Sequence, residues 1–249
     1  MIVLSIIILF CDKDVCYLKD ILRDIKEKIK VKHEIILVDN REKDKSNLPK
    51  GNYKIVSKGY NTYQFEGRRM GLDEANGIFV WYVDVDDSII GELTNLDFRG
   101  KSNADIIQLY TKDDTRVNFI LPMMAHDKDL YYFGNGRLWS RLLSTRILKA
   151  ALKPIKRDIK FMGYEDSFLF SLMYEHSQNI DYIDKFVYQY NSSRSTRNKN
   201  NFTKEKFDEL EAGIENLEYL SSFLKKPQLF IEAINKEREI QRNRIPKVK

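Results

Sequence analysis

The segment from Ile78 to Asp87 reads Ile-Phe-Val-Trp-Tyr-Val-Asp-Val-Asp-Asp, an apolar run that ends in three acids. Its β-branched and aromatic residues predict a buried central strand, with Asp84, Asp86 and Asp87 at the C-terminal end. Open α/β sheets bind their ligands at this edge. Because neighbouring carboxylates repel one another, the cluster favours a hard divalent cation, Mg²⁺ or Mn²⁺, that also binds a diphosphate. The alternative is a solvated acidic turn, since Asp is a favoured turn residue.

Length and composition predict one catalytic-sized domain with an appendage. The chain has 249 residues, of which 43% are hydrophobic, enough for one sizeable core and too many for a disordered chain. Its 42 basic and 37 acidic residues leave a net charge of +5, which does not predict binding to nucleic acid. Cys11 and Cys16 are expected to be reduced thiols of a cytoplasmic protein. The apolar N-terminus, Met1 to Phe10, is too short for a membrane span and lacks the features of a signal peptide.

The hydrophobic pattern before this segment predicts alternating strands and helices. The predicted strands are Ile2–Phe10, Glu34–Val38 and Tyr53–Val56, and the predicted helices are Asp14–Lys30 and Tyr63–Asn76. The order β-α-β-β-α-β indicates an α/β sheet. Since Asp39 follows one long strand and Asp84 ends another, acids are expected along one ligand-binding edge.

Four motifs within residues 1–90 resemble the family 2 glycosyltransferases with the GT-A fold. That family reads apolar strand, E-I-I-V-V-D-D, A-R-N-x-G-L-x-x-A-x-G and D-x-D-D, in this order. Here the motifs stand as Leu4–Ile8, Glu34–Asn40, Gly67–Gly77 and Asp84–Asp87. The resemblance implies a nucleotide-diphospho-sugar transferase with a Rossmann-like mixed sheet, helices on both faces and a C-terminal helical extension.

The resemblance also implies roles for individual residues. Asp39 corresponds to the acid that contacts the base of the donor nucleotide, and Arg68 to an arginine of the same pocket. Asp84 and Asp86 correspond to donor-binding positions. Asp86, supported by Asp84 and Asp87, would hold Mn²⁺ or Mg²⁺.

Two departures from the family pattern surround the nucleotide pocket. Asn40-Arg41-Glu42 stands where the family usually has Asp-Gly-Ser, and Gly67-Arg68-Arg69 replaces Ala-Arg-Asn. The resemblance therefore implies the class of reaction more strongly than the identity of the base, which we expect to be uracil.

The second half of the chain carries one further chemical motif, Gly163-Tyr164-Glu165-Asp166. Its two acids precede an apolar segment and predict a helix N-terminus, where unpaired backbone N–H groups favour carboxylates. The family has a Glu-Asp pair at this point, and its Asp, here Asp166, resembles the general base. The alternative is that both acids only stabilise the helix start.

Three other segments are expected to complete the sheet and its surroundings. Asp105–Tyr110 and Val117–Leu121 predict strands, and Ile180–Tyr190 predicts a closing strand pair. Asn135–Leu152 is interpreted as a packing segment with a basic outer face or as part of the acceptor surface.

A loop rich in Ser, Thr and Arg follows Tyr190. Its Arg194 and Arg197 are candidates for binding a diphosphate, because guanidinium groups match the geometry of phosphate oxygens. The alternative is a mobile basic loop.

From Thr203 onward the pattern is helical. An apolar stripe before Pro227 consists of Phe207, Leu210, Ile214, Leu217, Leu220 and Leu224. We expect this stripe to pack on its own domain; the alternatives are an anionic membrane or an oligomer partner for the basic end of the chain. The predicted organisation is a glycosyltransferase domain over 1–200, with donor (1–100) and acceptor (101–200) halves, and C-terminal helices over 201–249.

Together these features predict an inverting, metal-dependent glycosyltransferase. It would transfer a sugar from a UDP-sugar to a hydroxyl group of a glycan-type acceptor, in the cytoplasm or at the inner face of the membrane. One alternative is a nucleotidyltransferase or other phosphoryl-transfer enzyme, which also needs clustered aspartates. Another is a module that binds a nucleotide sugar without turning it over.

Overall fold

The computed structural model describes residues 2–41, 48–113, 137–191, 193–194 and 204–243. The predicted strand Val117–Leu121, the candidate Arg197 and the side chain of Leu210 lie outside this description.

The described residues contain eight strands. They are β1 (Leu4–Phe10), β2 (His33–Asp39), β3 (Lys54–Val56), β4 (Phe79–Asp84), β5 (Ser88–Ile89), β6 (Ile106–Asp113), β7 (Arg141–Ser144) and β8 (Ile180–Tyr190). The strands form one sheet in the order β3-β2-β1-β4-β7-β6-β8-β5. The pairs β1–β2, β1–β4, β2–β3 and β6–β8 are parallel, whereas β4–β7, β6–β7 and β5–β8 are antiparallel. The predicted mixed sheet is confirmed.

Seven α-helices lie in the described part of the chain. They are α1 (Val15–Lys28), α2 (Tyr63–Asp73), α3 (Thr145–Leu152), α4 (Glu165–His176), α5 (Lys204–Gly213), α6 (Leu217–Ser221) and α7 (Pro227–Arg242). Three short 3₁₀ turns accompany them at Asp12–Asp14, Asn95–Phe98 and Leu138–Ser140.

Two hydrophobic layers cover the two faces of the sheet, as predicted. Ile6 and Ile8 of β1 point into a layer that contains Leu18, Ile21 and Ile25 of α1. The opposite face joins Ile7 to buried residues of the other helices, namely Phe65, Leu148, Phe168, Ile214, Leu220 and Phe230. This alternation follows from the strand period of two residues.

The prediction of a strand pair over Ile180–Tyr190 is wrong, because β8 is one continuous strand. Ile183 pairs with Leu109 and Phe186 with Tyr110, so Asp184 and Lys185 are extra residues in the ladder. The extra residues are accommodated by a β-bulge, which bends a strand without ending it.

The segment 137–152 packs internally, which confirms its interpretation as a packing segment. Leu142 and Leu143 are buried in β7, between β4 and β6. Arg141 is buried too, with its guanidinium carbon 3.8 Å from the ring centroid of Phe170. Only part of the predicted basic face therefore points outward, at the exposed Arg137 and Arg146.

The C-terminal helices pack on the same core as the sheet, as expected for their apolar stripe. Leu220 and Phe230 are fully buried, and the rings of Phe230 and Phe168 lie 6.1 Å apart, edge to face. Within the described residues, no helix combines the length and the apolarity needed to cross a bilayer.

Candidate functional site

The predicted site residues converge on the edge of the sheet where β1, β2 and β4 end. Asp39 is the last residue of β2, beside Phe10, and Asp84 is the last residue of β4, beside Leu9. Helix α4 begins at this edge with Glu165. Parallel strands place their carboxyl ends together, which explains why acids far apart in sequence meet here.

Arg68 of α2 lies at the centre of this edge. Its Nη2 atom is 2.9 Å from Asp166 Oδ1 and 3.5 Å from both Asp84 Oδ1 and Glu165 Oε1. The guanidinium group also lies over the ring of Tyr82, 5.5 Å from its centroid. Burial opposes the charge of Arg68, but the surrounding acids outweigh this cost and raise its pKa. Arg68 is thus a permanent cation that connects acids of β4 and α4.

Glu165 and Asp166 differ in their access to the site. The side chain of Glu165 is 4% exposed, whereas that of Asp166 is 26% exposed. Glu165 thus lies beneath the surface, and Asp166 can meet a bound molecule. The geometry favours Asp166 over Glu165 as a base.

Asp87 points away from the open edge. The Tyr188 hydroxyl donates to Asp87 Oδ2 at 2.7 Å, and the Asn191 N–H donates to Asp87 Oδ1 at 2.7 Å. Burial, followed by the charge of Asp84, raises the pKa of Asp87. Both oxygens of Asp87 thus bind groups of β8 and of the residue that follows it, and its predicted support of a metal ion stays a prediction.

Asp86 is a partly buried acid of the cluster, next to Asp84. Burial and the charge of Asp84 raise the pKa of Asp86 to about 6, so a positive charge nearby would favour its ionised form. Among the residues the structure describes, no three His, Cys, Asp or Glu side chains converge as a ready-made metal site. Mg²⁺ or Mn²⁺ needs only one or two protein carboxylates when substrate phosphates and water complete its shell. Asp86, with Asp84, fits that requirement.

Asp39 forms a buried ion pair that the sequence analysis missed. Arg41 donates through Nε and Nη2 to its two oxygens, both at 2.9 Å, and through its backbone N–H at 3.1 Å. The guanidinium group lies 5.4 Å from the centre of the Phe10 ring. The available signal was the arginine that stands where the family has glycine. Contact of Asp39 with a nucleotide base stays a prediction.

Asn40 fixes the loop that precedes α2. Its Oδ1 accepts hydrogen bonds from the backbone and side chain of Thr62 at 2.7 and 2.9 Å, and its Nδ2 donates to Asn61 at 2.7 Å. This residue of the Asn40-Arg41-Glu42 departure therefore fixes the backbone next to Asp39 and before α2.

The two adjacent arginines of α2 have different functions. Whereas Arg68 faces the acids, Arg69 donates to the carbonyl groups of Leu152, Ile155 and Lys156 at 3.4, 3.0 and 2.6 Å. Arg69 thus binds the end of α3 and the segment after it. The family resemblance gave a role to Arg68 and none to Arg69.

One predicted phosphate-binding arginine lies close to the acidic turn. Arg194 Nη1 is 3.5 Å from the backbone oxygen of Asp86, and its guanidinium carbon lies 5.3 Å from the centre of the Tyr17 ring. A cation is thereby placed next to the backbone of the acidic turn.

No model of a protein family and no curated protein matches this chain. Solved structures of S. aureus TarS do. The crystal structure of residues 1–349 has a TM-score of 0.63 at 17% identity, with 97% of this chain and 73% of that chain covered. Its complex with UDP-GlcNAc gives 0.65 at 17% identity over 97% and 74%, and its complex with UDP gives 0.59 at 19% over 97% and 73%. At such identity the likeness shows the fold, and the predicted fold class is confirmed.

Proposed function

We propose that this chain is a family 2 glycosyltransferase that transfers a sugar from a nucleotide-diphosphate sugar, UDP-linked, to an acceptor hydroxyl with inversion. The observation that carries the proposal is the Arg68 junction, where Asp84 of the acidic turn and Asp166 of α4 bind one guanidinium group. The likeness to TarS, a family 2 glycosyltransferase solved with UDP-GlcNAc and with UDP, supports the class of donor.

The acidic turn forms the donor side of the proposed reaction. Asp86, assisted by Asp84, would hold Mg²⁺ or Mn²⁺, which as a Lewis acid stabilises the charge of the departing diphosphate. Arg194 is near enough to the turn to donate to phosphate oxygens, and its planar group suits them.

Asp166 forms the acceptor side. As the acceptor oxygen bonds to the anomeric carbon, the bond from that carbon to the diphosphate breaks on the opposite face, and Asp166 takes the hydroxyl proton. Arg68 holds the Asp166 carboxylate at 2.9 Å and so limits its rotation. Because Arg68 also contacts Asp84, it fixes the position of the Asp166 carboxylate relative to the acidic turn that would bind the donor.

Replacement of Asp166 by Asn tests this assignment. The donor is first chosen from a panel of UDP-sugars by thermal shift with Mn²⁺, and UDP release is then measured. We expect Asp166→Asn to lower UDP release by a factor on the order of 10² to 10⁴ while donor affinity stays near that of the unmodified chain, because Asn keeps the shape but accepts no proton.

Glu165→Gln serves as the matched control. If both acids only stabilise the start of α4, the two variants should lose similar stability, roughly 0.3 to 1 kcal/mol, with little loss of turnover. That pattern would contradict the catalytic role of Asp166. Donor binding without any turnover by the unmodified chain would instead support a nucleotide-sugar-binding module.

A further inference from the structure

The acidic turn between β4 and β5 is fastened to the end of β8. The Tyr188 oxygen accepts the backbone N–H of Asp84 at 3.1 Å and donates its proton to Asp87 Oδ2 at 2.7 Å. One hydroxyl group thus ties both ends of the turn. Tyr188 itself is buried and stacks on Trp139, with ring centroids 5.0 Å apart, so its position is set by packing.

Asn191 contacts the rest of the turn. Besides its backbone bond to Asp87, its Nδ2 donates to the backbone oxygen of Asp86 at 3.0 Å and to Ser88 Oγ at 3.1 Å. Ser88 also pairs with Gln189 in the sheet. Every residue from Asp86 to Ser88 is therefore held by β8 or by the residue that follows it.

These contacts leave the carboxylates of Asp86 and Asp84 as the parts of the turn that can bind a ligand. The two oxygens of Asp87 face Tyr188 and Asn191, and the backbone oxygen of Asp86 faces the Asn191 amide. Since the backbone on both sides of the Asp86 side chain is held, the direction of its Cα–Cβ bond is set before any ligand arrives. Removal of groups that orient a metal-binding side chain in this way commonly weakens metal binding.

We propose that Tyr188 and Asn191 are positioning residues that use the buried Asp87 as an anchor and so direct the Asp86 carboxylate toward a divalent cation. This inference rests on the proposed function. In this arrangement Asp87 anchors the turn, and Tyr188 and Asn191 hold the anchor in place. The affinity for the metal ion should therefore depend on side chains that never touch the metal.

Electron paramagnetic resonance of Mn²⁺ tests the inference on the full chain, with UDP as the probe ligand. Tyr188→Phe and Asn191→Ala should each weaken Mn²⁺ binding about 10- to 100-fold. Matched controls are Tyr182→Phe, an exposed tyrosine of the same strand, and Asn179→Ala, an exposed asparagine just before it. Both controls should bind Mn²⁺ like the unmodified chain. Circular dichroism spectra should be unchanged in all four variants, since Phe at position 188 keeps the stacked ring. UDP binding in EDTA should also be unchanged, since the anchor affects only the binding of the metal ion.

A double-mutant cycle separates an anchor from a direct metal ligand. If Asp87 acts only through Tyr188 and Asn191, Asp87→Ala combined with Tyr188→Phe should weaken Mn²⁺ binding no more than the worse single variant does. Additive losses would make Asp87 a ligand in its own right and overturn the inference. Normal Mn²⁺ affinity of the Tyr188 and Asn191 variants would overturn it while leaving the proposed function intact. Absence of Mn²⁺ binding by the unmodified chain would overturn both.

Discussion

At the scale of residues, charge pairing decides what the sheet edge offers to a ligand. Asp39 and Arg41 are both buried and bonded to each other at 2.9 Å. Removing one partner of a buried pair leaves an uncompensated charge, which typically costs about 3–5 kcal/mol. We therefore expect Asp39→Ala to lower the free energy of unfolding by about that amount in urea denaturation, and the double variant Asp39→Ala/Arg41→Met to recover much of it.

The same double variant tests the predicted contact of Asp39 with the nucleotide. If Asp39 binds the base, the refolded double variant should bind UDP more weakly in calorimetry. Unchanged UDP affinity would assign Asp39 and Arg41 to stability alone. A single variant Asp39→Ala as stable as the unmodified chain would contradict the ion pair.

At the scale of elements, helix α2 connects the site to the sheet. It carries Arg68 toward the acids and lies against β1 and β2 through Gly71. A Cβ atom at position 71 would clash with Ile7 Cγ2 and lie 3.0 Å from Val38 Cγ2. Gly71→Ala should therefore destabilise the protein by about 1–3 kcal/mol, because overpacking displaces the helix.

The sign of the change in stability tests the close approach of α2 to the sheet, because helix propensity alone predicts that Gly71→Ala stabilises the protein. In an exposed helix the same substitution stabilises by about 1 kcal/mol. A higher urea midpoint for Gly71→Ala would show that α2 does not approach the sheet as closely as described. A displaced α2 should also carry Arg68 away from Asp166, so UDP release should fall together with stability.

At the scale of the whole molecule, the C-terminal helices support the element that carries the proposed base. Phe230 of α7 is fully buried against Phe168 of α4, two positions after Asp166. Phe230→Ala should lower stability by about 3–5 kcal/mol, because the large side chain leaves a cavity. We expect a single cooperative unfolding transition in calorimetry, since one core joins both parts of the chain.

Ile240→Ala is the control on the same helix, because Ile240 is 41% exposed. Its effect should stay within about 0.5 kcal/mol. Two separate transitions in the Phe230 variant would instead mark 1–200 and 201–249 as independent units. Binding of the basic end of the chain to an anionic membrane stays a prediction, and residues 244–249 lie outside the described structure.

Local patterns were sufficient to predict the framework of the fold. The apolar runs of β1 and β4 and the amphipathic spacing of α1 each depend on residues close in sequence. The placement of acids at strand ends followed for the same reason. The bulge in β8 escaped prediction because it depends on the ladder with β6, which joins residues far apart in sequence.

The sequence by itself therefore determined the α/β order of elements and the acids that lie at one edge of the sheet. Only the tertiary structure decided which partner each charged group has. It paired Arg68 with Asp84 and Asp166, enclosed Asp39 with Arg41, and turned Asp87 toward Tyr188. The physical reason is that ion pairs and hydrogen bonds depend on distance and burial in three dimensions, and most of these partners lie far apart along the chain.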